Sequence, residues 1–212
     1  MLNVYLIRHG QTEWNADGNR YCGRTDIPLT AKGVLQAEGV REQLANVIFT
    51  AIYSSPLERA YHTAKIAGGD KSVTCDARLI EADFGTWEGK TREAFIRENP
   101  TLWKRWTEDP IASKAGGTGE TAGEIIRRVE DFFQEALGSH NGKNIMVVGH
   151  NGINRIYLAW KLGMNVRDYR RIVQENSSVT LFSLDDSGEL TLKLLNSKGI
   201  IDGYDENPVG VA

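Results

Sequence analysis

The sequence predicts an α/β fold: a single three-layer α/β/α domain around a mostly parallel central sheet. Three observations lead there. Short apolar runs alternate with amphipathic helical patterns along the 212 residues, the signature of strand–helix units. The run NIMVVGH (144–150) reads as a buried strand and passes directly into a helical pattern. The apolar fraction of 41% and charged fraction of 25% are those of an ordinary globular domain, and a chain of this length can bury one substantial core.

Taken in order, VYLI (4–7) is the core of a first strand spanning 3–7, followed by a polar, Gly-rich loop that ends at Pro28. Thr30 opens a helical pattern with Val34, Ala37, Val40, Leu44 and Val47 at spacings of three or four. AIYSS is a second strand, and Pro56 is expected in the first turn of the next helix. SVTC and RLI are short strand candidates. Residues 91–107 read as helical and aromatic-rich, broken at Pro100.

The clearest helix is 121–138, opened by a capping-box pattern at Thr121 and Glu124 and striped by Ile125, Val129, Phe132, Phe133 and Ala136. A helix carrying Ile153, Ile156, Tyr157 and Trp160 follows the 144–150 strand, and strands near 178–184 and 189–195 finish the core. Residues 1–212 are thus expected to form one domain, with an insertion or lid at about 85–120 and a loose tail from about Asp202.

Composition excludes several classes. A formal net charge of -3 provides no global basic field for nucleic acid or an anionic membrane. The N-terminus has no secretory pattern and no apolar stretch approaches a membrane span. Cys22 and Cys75 have no CxxC spacing and are expected as free, buried thiols in a reducing cytoplasm.

The chemistry-bearing residues cluster at expected strand ends. In open parallel sheets, ligands bind beyond the carboxyl ends of the strands. Arg8-His9 follows the first strand, and His150 follows the strand at 144–149 in the same context. Taken alone, each is a histidine that nearby backbone ordinarily satisfies. Together they are two of only four histidines; His62 reads as a helix-face residue and His140 as a solvated loop residue. Arg59, expected in the first turn of a helix after a strand, adds a planar fork suited to phosphate. Glu81, after RLI, is a candidate general acid. Two imidazoles, two guanidiniums and one acid suit phosphoryl transfer, where a neutral histidine divides one hard displacement into two easier ones. Arginine charge next to His9 favours that neutral form.

LIRHGQTEWN, GRTDIPLTAKG, SSPLERAYHTA, EADFGTWEG, GGTGET and VVGHNG, in that order, resemble the motifs of the histidine phosphatase superfamily, which includes cofactor-dependent phosphoglycerate mutases. The resemblance implies a phosphoglycerate mutase-like fold. It also implies His9 as the phosphorylated nucleophile, Arg8, Arg59 and His150 as the phosphate pocket, and Glu81 as proton donor. By the same resemblance Asn15 contacts the phosphoryl group, Gln11, Thr12, Cys22 and Gly23 lie in the substrate-side loop, and Thr121 belongs to a loop that approaches the site. No metal and no cofactor are implied, and the expected partner is a small phosphorylated metabolite. A homodimer stays open.

Two departures bear on the activity. Asn151 stands where the family more often has glycine, and no adjacent arginine pair lies between Glu81 and Glu120; Arg127-Arg128 comes later. The second favours a phosphatase over a mutase. An α-ribazole phosphatase of cobalamin synthesis and a non-catalytic phospholigand-binding protein are the other readings. GTWEGKT imitates a nucleotide-binding loop, but Gly85 and Gly89 are separated by three residues rather than four. Neither cysteine has an arginine six positions later, as a cysteine phosphatase needs. The Trp-rich insertion (Trp87, Trp103, Trp106) is expected either to cover a leaving group or to pack on the core.

Overall fold

The structure, a computed structural model, describes residues 1–201; the expected loose tail lies outside the described residues. Six strands form one sheet: β1 (Leu2–Arg8), β2 (Ala51–Ser54), β3 (Thr74–Cys75), β4 (Asn144–Gly149), β5 (Val179–Leu184) and β6 (Leu190–Ser197). Their order is β3-β2-β4-β1-β5-β6. β3, β2, β4 and β1 run parallel, while β5 pairs antiparallel with β1 and β6 antiparallel with β5. Seven helices accompany them: α1 (Glu13–Ala16), α2 (Ala31–Gln43), α3 (Glu58–Gly68), α4 (Arg92–Glu98), α5 (Pro100–Glu108), α6 (Ala122–His140) and α7 (Asn151–Lys161).

Alternation along the central strands separates the core into two apolar layers. Leu2, Val4 and Leu6 of β1 with Ile145 and Val147 of β4 meet α6, α7 and the 85–120 segment. Tyr5 and Ile7 with Met146 and Val148 meet α2 and α3 on the opposite face. Every residue of β1 is buried, which explains the unbroken apolar run at 4–7: it has no solvent face to mark with polar residues.

Local sequence sets the helix boundaries. The α6 capping box is complete: Thr121 Oγ1 accepts from the Glu124 amide at 3.1 Å, and Glu124 Oε2 accepts from the Thr121 amide at 2.8 Å. Asn99 caps α5 and Pro100 occupies its first turn, so the proline ends one helix by starting another. α2 stops at Gln43, leaving Leu44 and Val47 buried in the turn beyond it, and Val34 is largely exposed.

Several expectations are corrected. RLI is not a strand: Asp76 accepts from the Arg78 amide and folds 77–79 into a 3₁₀ turn. Pro56 precedes α3 rather than sitting in its first turn. Cys75 is exposed on the two-residue edge strand β3, unlike buried Cys22. His140 ends α6 and bonds the Tyr53 hydroxyl through Nε2 at 2.8 Å, so it is not a loose loop residue. Trp87 and Trp106 are buried, and Trp87 stacks on Phe95 and meets Tyr21, Trp103 and Trp106 edge to face, so they pack the insertion onto the core rather than line an opening.

Candidate active site

Sheet register brings the strand ends together. Parallel pairing sets Arg8 opposite Gly149, so the next residues, His9 and His150, leave the sheet side by side. The His9 amide donates to the Gly149 carbonyl at 3.1 Å, and the two imidazole centroids are 5.1 Å apart. β2 lies on the other side of β4, with Ser54 opposite Val148. Its carboxyl end therefore delivers α3, and with it Arg59, to the same edge.

A cavity of about 380 Å³ opens here, with Arg8, His9, Asn15, Cys22 and Glu81 on its wall. Arg59 and His150 are fully buried behind that wall. Arg59 bears electrostatically on His9: burial pushes His9 well below its ordinary pKa, and the charges of Arg59 and Arg8 push it further. His150 is lowered in the same way, by burial first and then by Arg59 and the His9 ring. Both imidazoles are neutral at pH 7.

The tautomer of His9 follows from one contact. Its Nδ1 is 2.7 Å from the Gly10 carbonyl oxygen. A carbonyl can only accept, so Nδ1 carries the ring proton and Nε2 keeps its lone pair. Around it are buried nitrogens with no hydrogen-bond partner: Arg8 Nε, Arg59 Nε and both ring nitrogens of His150. Buried polar groups are nearly always paired, so such a cluster is a marked exception.

Arg8 is held by the Gln174 carbonyl through Nη1 at 2.8 Å. Burial, and secondarily Arg155, lower it to about 10, which leaves it charged at neutral pH. Arg59 donates Nη1 to the Thr25 carbonyl and Nη2 to those of Cys22 and Gly23. The amides of Gly23 and Thr25 donate in turn to the Glu88 carboxylate. The loop at 22–25 is thus gripped by a cation on its carbonyls and an anion on its amides. Gly23 is required there, because a Cβ would sit 2.5 Å from the Ala82 carbonyl oxygen.

Glu81 is docked at the start of α7. Its Oε1 accepts from the Ala82 amide at 2.8 Å and the Ile153 amide at 3.1 Å; Oε2 accepts from the Gly152 amide at 2.9 Å. Helix N-terminal amides favour such a carboxylate. Each carboxylate oxygen has about two acceptor sites, so Oε1 is saturated and the remaining site is on Oε2. The Glu81 carbonyl is fixed separately by Arg24 Nε at 2.9 Å and Arg128 Nη2 at 3.4 Å. Glu120 bridges both arginines and accepts from the Asp83 amide. Burial alone would raise the Glu120 carboxyl, but the bonds from Arg128, Asp83 and Arg24 bring it below its ordinary value.

Asn15 is oriented by its acceptors. Its Oδ1 takes bonds from the Thr12 amide, the Thr12 hydroxyl and Asn176 Nδ2. Asn176 Nδ2 also donates to the His9 carbonyl at 3.1 Å. With Oδ1 engaged, the Asn15 amide nitrogen is the group left to meet a ligand. Asn151 lies on the wall, its buried Oδ1 without a partner.

Besides Arg59 and His150, four sequence candidates are not on the wall. Gln11 bonds Gln36 and Thr30, Thr12 is buried as the cap of α1, Gly23 serves the loop clamp, and Thr121 caps α6. Sequence reading passed over Glu88, Glu120, Arg128, Asn176, Arg155 and Arg170. Glu88 and Glu120 lie inside motifs already singled out. Arg155 follows Asn151 by one helical turn, a spacing that could have revealed it. Arg170 and Asn176 occur in irregular chain with no such signal.

The comparisons agree with this architecture. The family model of the histidine phosphatase superfamily (branch 1) matches residues 4–198, and the chain belongs to that family. It is 31% identical over 196 residues to phosphoserine phosphatase 1 of Hydrogenobacter thermophilus, covering 92% of each chain. It is also 31% identical over 202 residues to the adenosylcobalamin/alpha-ribazole phosphatase of Escherichia coli, covering 94% of this chain and 98% of that one. The crystal structure of phosphoserine phosphatase in complex with 3-phosphoglyceric acid from Entamoeba histolytica superposes with a TM-score of 0.84 at 32% identity, covering 93% and 98%. The protein is a phosphatase-class hydrolase with a phosphoglycerate mutase-like fold.

Proposed function

We propose that the protein hydrolyses small-molecule phosphomonoesters in two displacements through a phosphohistidine on His9. The observation that carries this reading is the Nδ1 contact to Gly10, which leaves Nε2 as a neutral nucleophile on the cavity wall. In the first step the Nε2 lone pair forms a bond to phosphorus as the ester P–O bond breaks. Glu81, entering the step with a proton on the free site of Oε2, delivers it to the departing alkoxide. In the second step the Glu81 carboxylate takes a proton from water as that water's oxygen bonds phosphorus and the N–P bond breaks.

Arg8, Arg59 and His150 supply the charge and donors that the equatorial oxygens need during both transfers. Their unpaired buried nitrogens acquire partners when a phosphoryl group binds. His150 donates to such an oxygen while remaining neutral. Asn15 adds its amide nitrogen from the opposite loop. A reducing cytoplasm is the compartment this reading assigns, since Cys22 and Cys75 are both free; no helix among the described residues is long and apolar enough to cross a membrane.

The test is rapid quench with a radiolabelled aryl phosphate in the presence of chelator. A base-stable, acid-labile phosphoenzyme should accumulate and vanish in His9→Ala, with one oxygen of the released phosphate drawn from labelled water. Near wild-type turnover in His9→Ala overturns the reading.

A further inference from the structure

A single phosphate does not account for the charge on this cavity. Beyond Arg8, four arginines line it: Arg20, Arg92, Arg155 and Arg170. Two of these are already paired, Arg20 with Asp17 at 2.7 Å and Arg92 with Glu93 at 3.5 Å. Among the described residues, Arg155 and Arg170 have no carboxylate within ion-pair distance, although both face the same space.

Each is held in place without being neutralised. Arg155 donates Nε to the Asn151 carbonyl at 2.9 Å, which uses one donor and leaves the two Nη groups. Its carbon Cζ lies 5.3 Å from the Tyr169 ring centroid. Arg170 is fixed by two rings, with Cζ 4.5 Å from the centroid of Trp103 and 4.4 Å from that of Tyr169, while its Nη2 is buried without a partner. Aromatic faces immobilise a guanidinium at little cost to its charge. Two like charges sharing one ring, with no anion between them, make an unfavourable arrangement that an anionic ligand group would relieve.

Resting on the phosphatase reading, we propose that Arg155 and Arg170 form a second anion site, which selects phosphomonoesters whose leaving group carries a carboxylate or second phosphate. Position supports a short leaving group. Glu81 docks on the amides of Gly152 and Ile153, and Arg155 is less than one further turn along α7. Four residues of helix from Asn151 to Arg155 rise about 6 Å, a span of about five carbon–carbon bonds in an extended chain. A guanidinium fork suits either anion, and the cavity volume fits a small metabolite. The site stands outside the stretch between Glu81 and Glu120, which holds no adjacent arginine pair.

The experiment compares kcat/KM for two ester pairs that differ chiefly in the carboxylate: 3-phosphoglycerate against glycerol 3-phosphate, and O-phosphoserine against O-phosphoethanolamine. Propane-1,3-diol bisphosphate forms a third arm. In the wild type at least one dianionic partner should exceed its counterpart by about 30-fold or more. That ratio should fall below about threefold in Arg155→Met and in Arg170→Met. Preference for the carboxylated esters assigns the anion as carboxylate, and preference for the bisphosphate assigns it as phosphate. A wild-type ratio near one in all arms overturns the proposal, as does a preference that survives both substitutions. Where a methionine variant does not fold, Arg155→Lys and Arg170→Lys supply the same readout, and an undiminished ratio in both overturns the assignment. Absence of turnover on every ester, including aryl phosphate, would instead count against the phosphatase reading itself.

Discussion

The Nδ1 of His9 is 2.7 Å from the carbonyl oxygen of Gly10, and this contact sets which nitrogen can act. It also bears on pH. Burial and the charges of Arg59 and Arg8 lower the imidazole well below its ordinary value, so protonation should not switch off the nucleophile near pH 6.5. The acidic limb of kcat/KM for an aryl phosphate, corrected for substrate ionisation, should show no step at the ordinary histidine pKa of about 6.5. A limb at about 6.5 that persists when every other titratable group on the cavity wall is replaced would contradict this electrostatic account.

Fold stability should show the complementary effect. His9 and His150 are both held neutral in the folded state, whereas each binds a proton near pH 6.5 when unfolded. The unfolded state therefore gains protons first as pH falls. The contribution to stability is complete above about pH 7 and declines below 6.5. Between pH 7.5 and 5.5 the loss should be about 1 kcal/mol per histidine, measured by urea denaturation. A His9→Gln/His150→Gln double variant should show a shallower slope, and an unchanged slope would sink the prediction.

Gly152 is the position where a methyl group should disconnect the acid. A Cβ there would lie 2.6 Å from Glu81 Oε1, closer than any ordinary contact. Gly152→Ala should lower turnover of alkyl phosphates by about 10²-fold. Activated aryl phosphates, whose phenolate departs without a proton, should lose less in the dephosphorylation-independent burst. Equal burst losses on both ester types would show that Glu81 is not the proton donor.

Asn176→Ala should act through Asn15. Removing Nδ2 deletes the donors to the His9 carbonyl and to Asn15 Oδ1, freeing the Asn15 amide to turn. KM for aryl phosphate should rise about tenfold, with kcat changed less. A fall in kcat with constant KM would place the effect on His9 instead.

Glu88→Ala should release the 22–25 loop. The amides of Gly23 and Thr25 lose their shared acceptor, at a cost of about 2 kcal/mol. Calorimetry should show a lower Tm, and proteolysis should cut within 20–26 before the rest of the chain. Protection equal to wild type would mean that Arg59 alone holds the loop.

Most of the frame was legible because periodicity reports burial. β1 and β4 are buried on both faces and read as continuous apolar runs, whereas the α6 stripe and its Thr121–Glu124 box announce one buried face. The 3₁₀ turn at 77–79 was mistaken for a strand because three residues carry no periodicity and the Asp76 cap outweighs their apolar character. Gly10 illustrates a subtler gap. Its missing side chain suits a close approach to ligand, but the near neighbour is the Gly33 carbonyl oxygen, 2.5 Å from where a Cβ would be. The strand ends carrying Arg8, His9 and His150 could be anticipated from sheet topology. The supports could not, since Asn176 and Arg170 act through contacts that no local pattern records.

The position of β1 has a consequence for how the chain reaches this state. The strand is made before the other five, and both of its neighbours, β4 and β5, are encoded more than 130 residues later. During synthesis LNVYLIR is therefore a two-sided apolar strand without partners, and loop closure must bring distant segments to it before any pairing compensates. Until then it is the segment most open to pairing with another chain. The same delay means that His9 and His150 meet only once the central pairing is complete. Phosphatase activity during refolding would thus time the closure of the sheet, and no half-assembled chain should be able to turn over substrate.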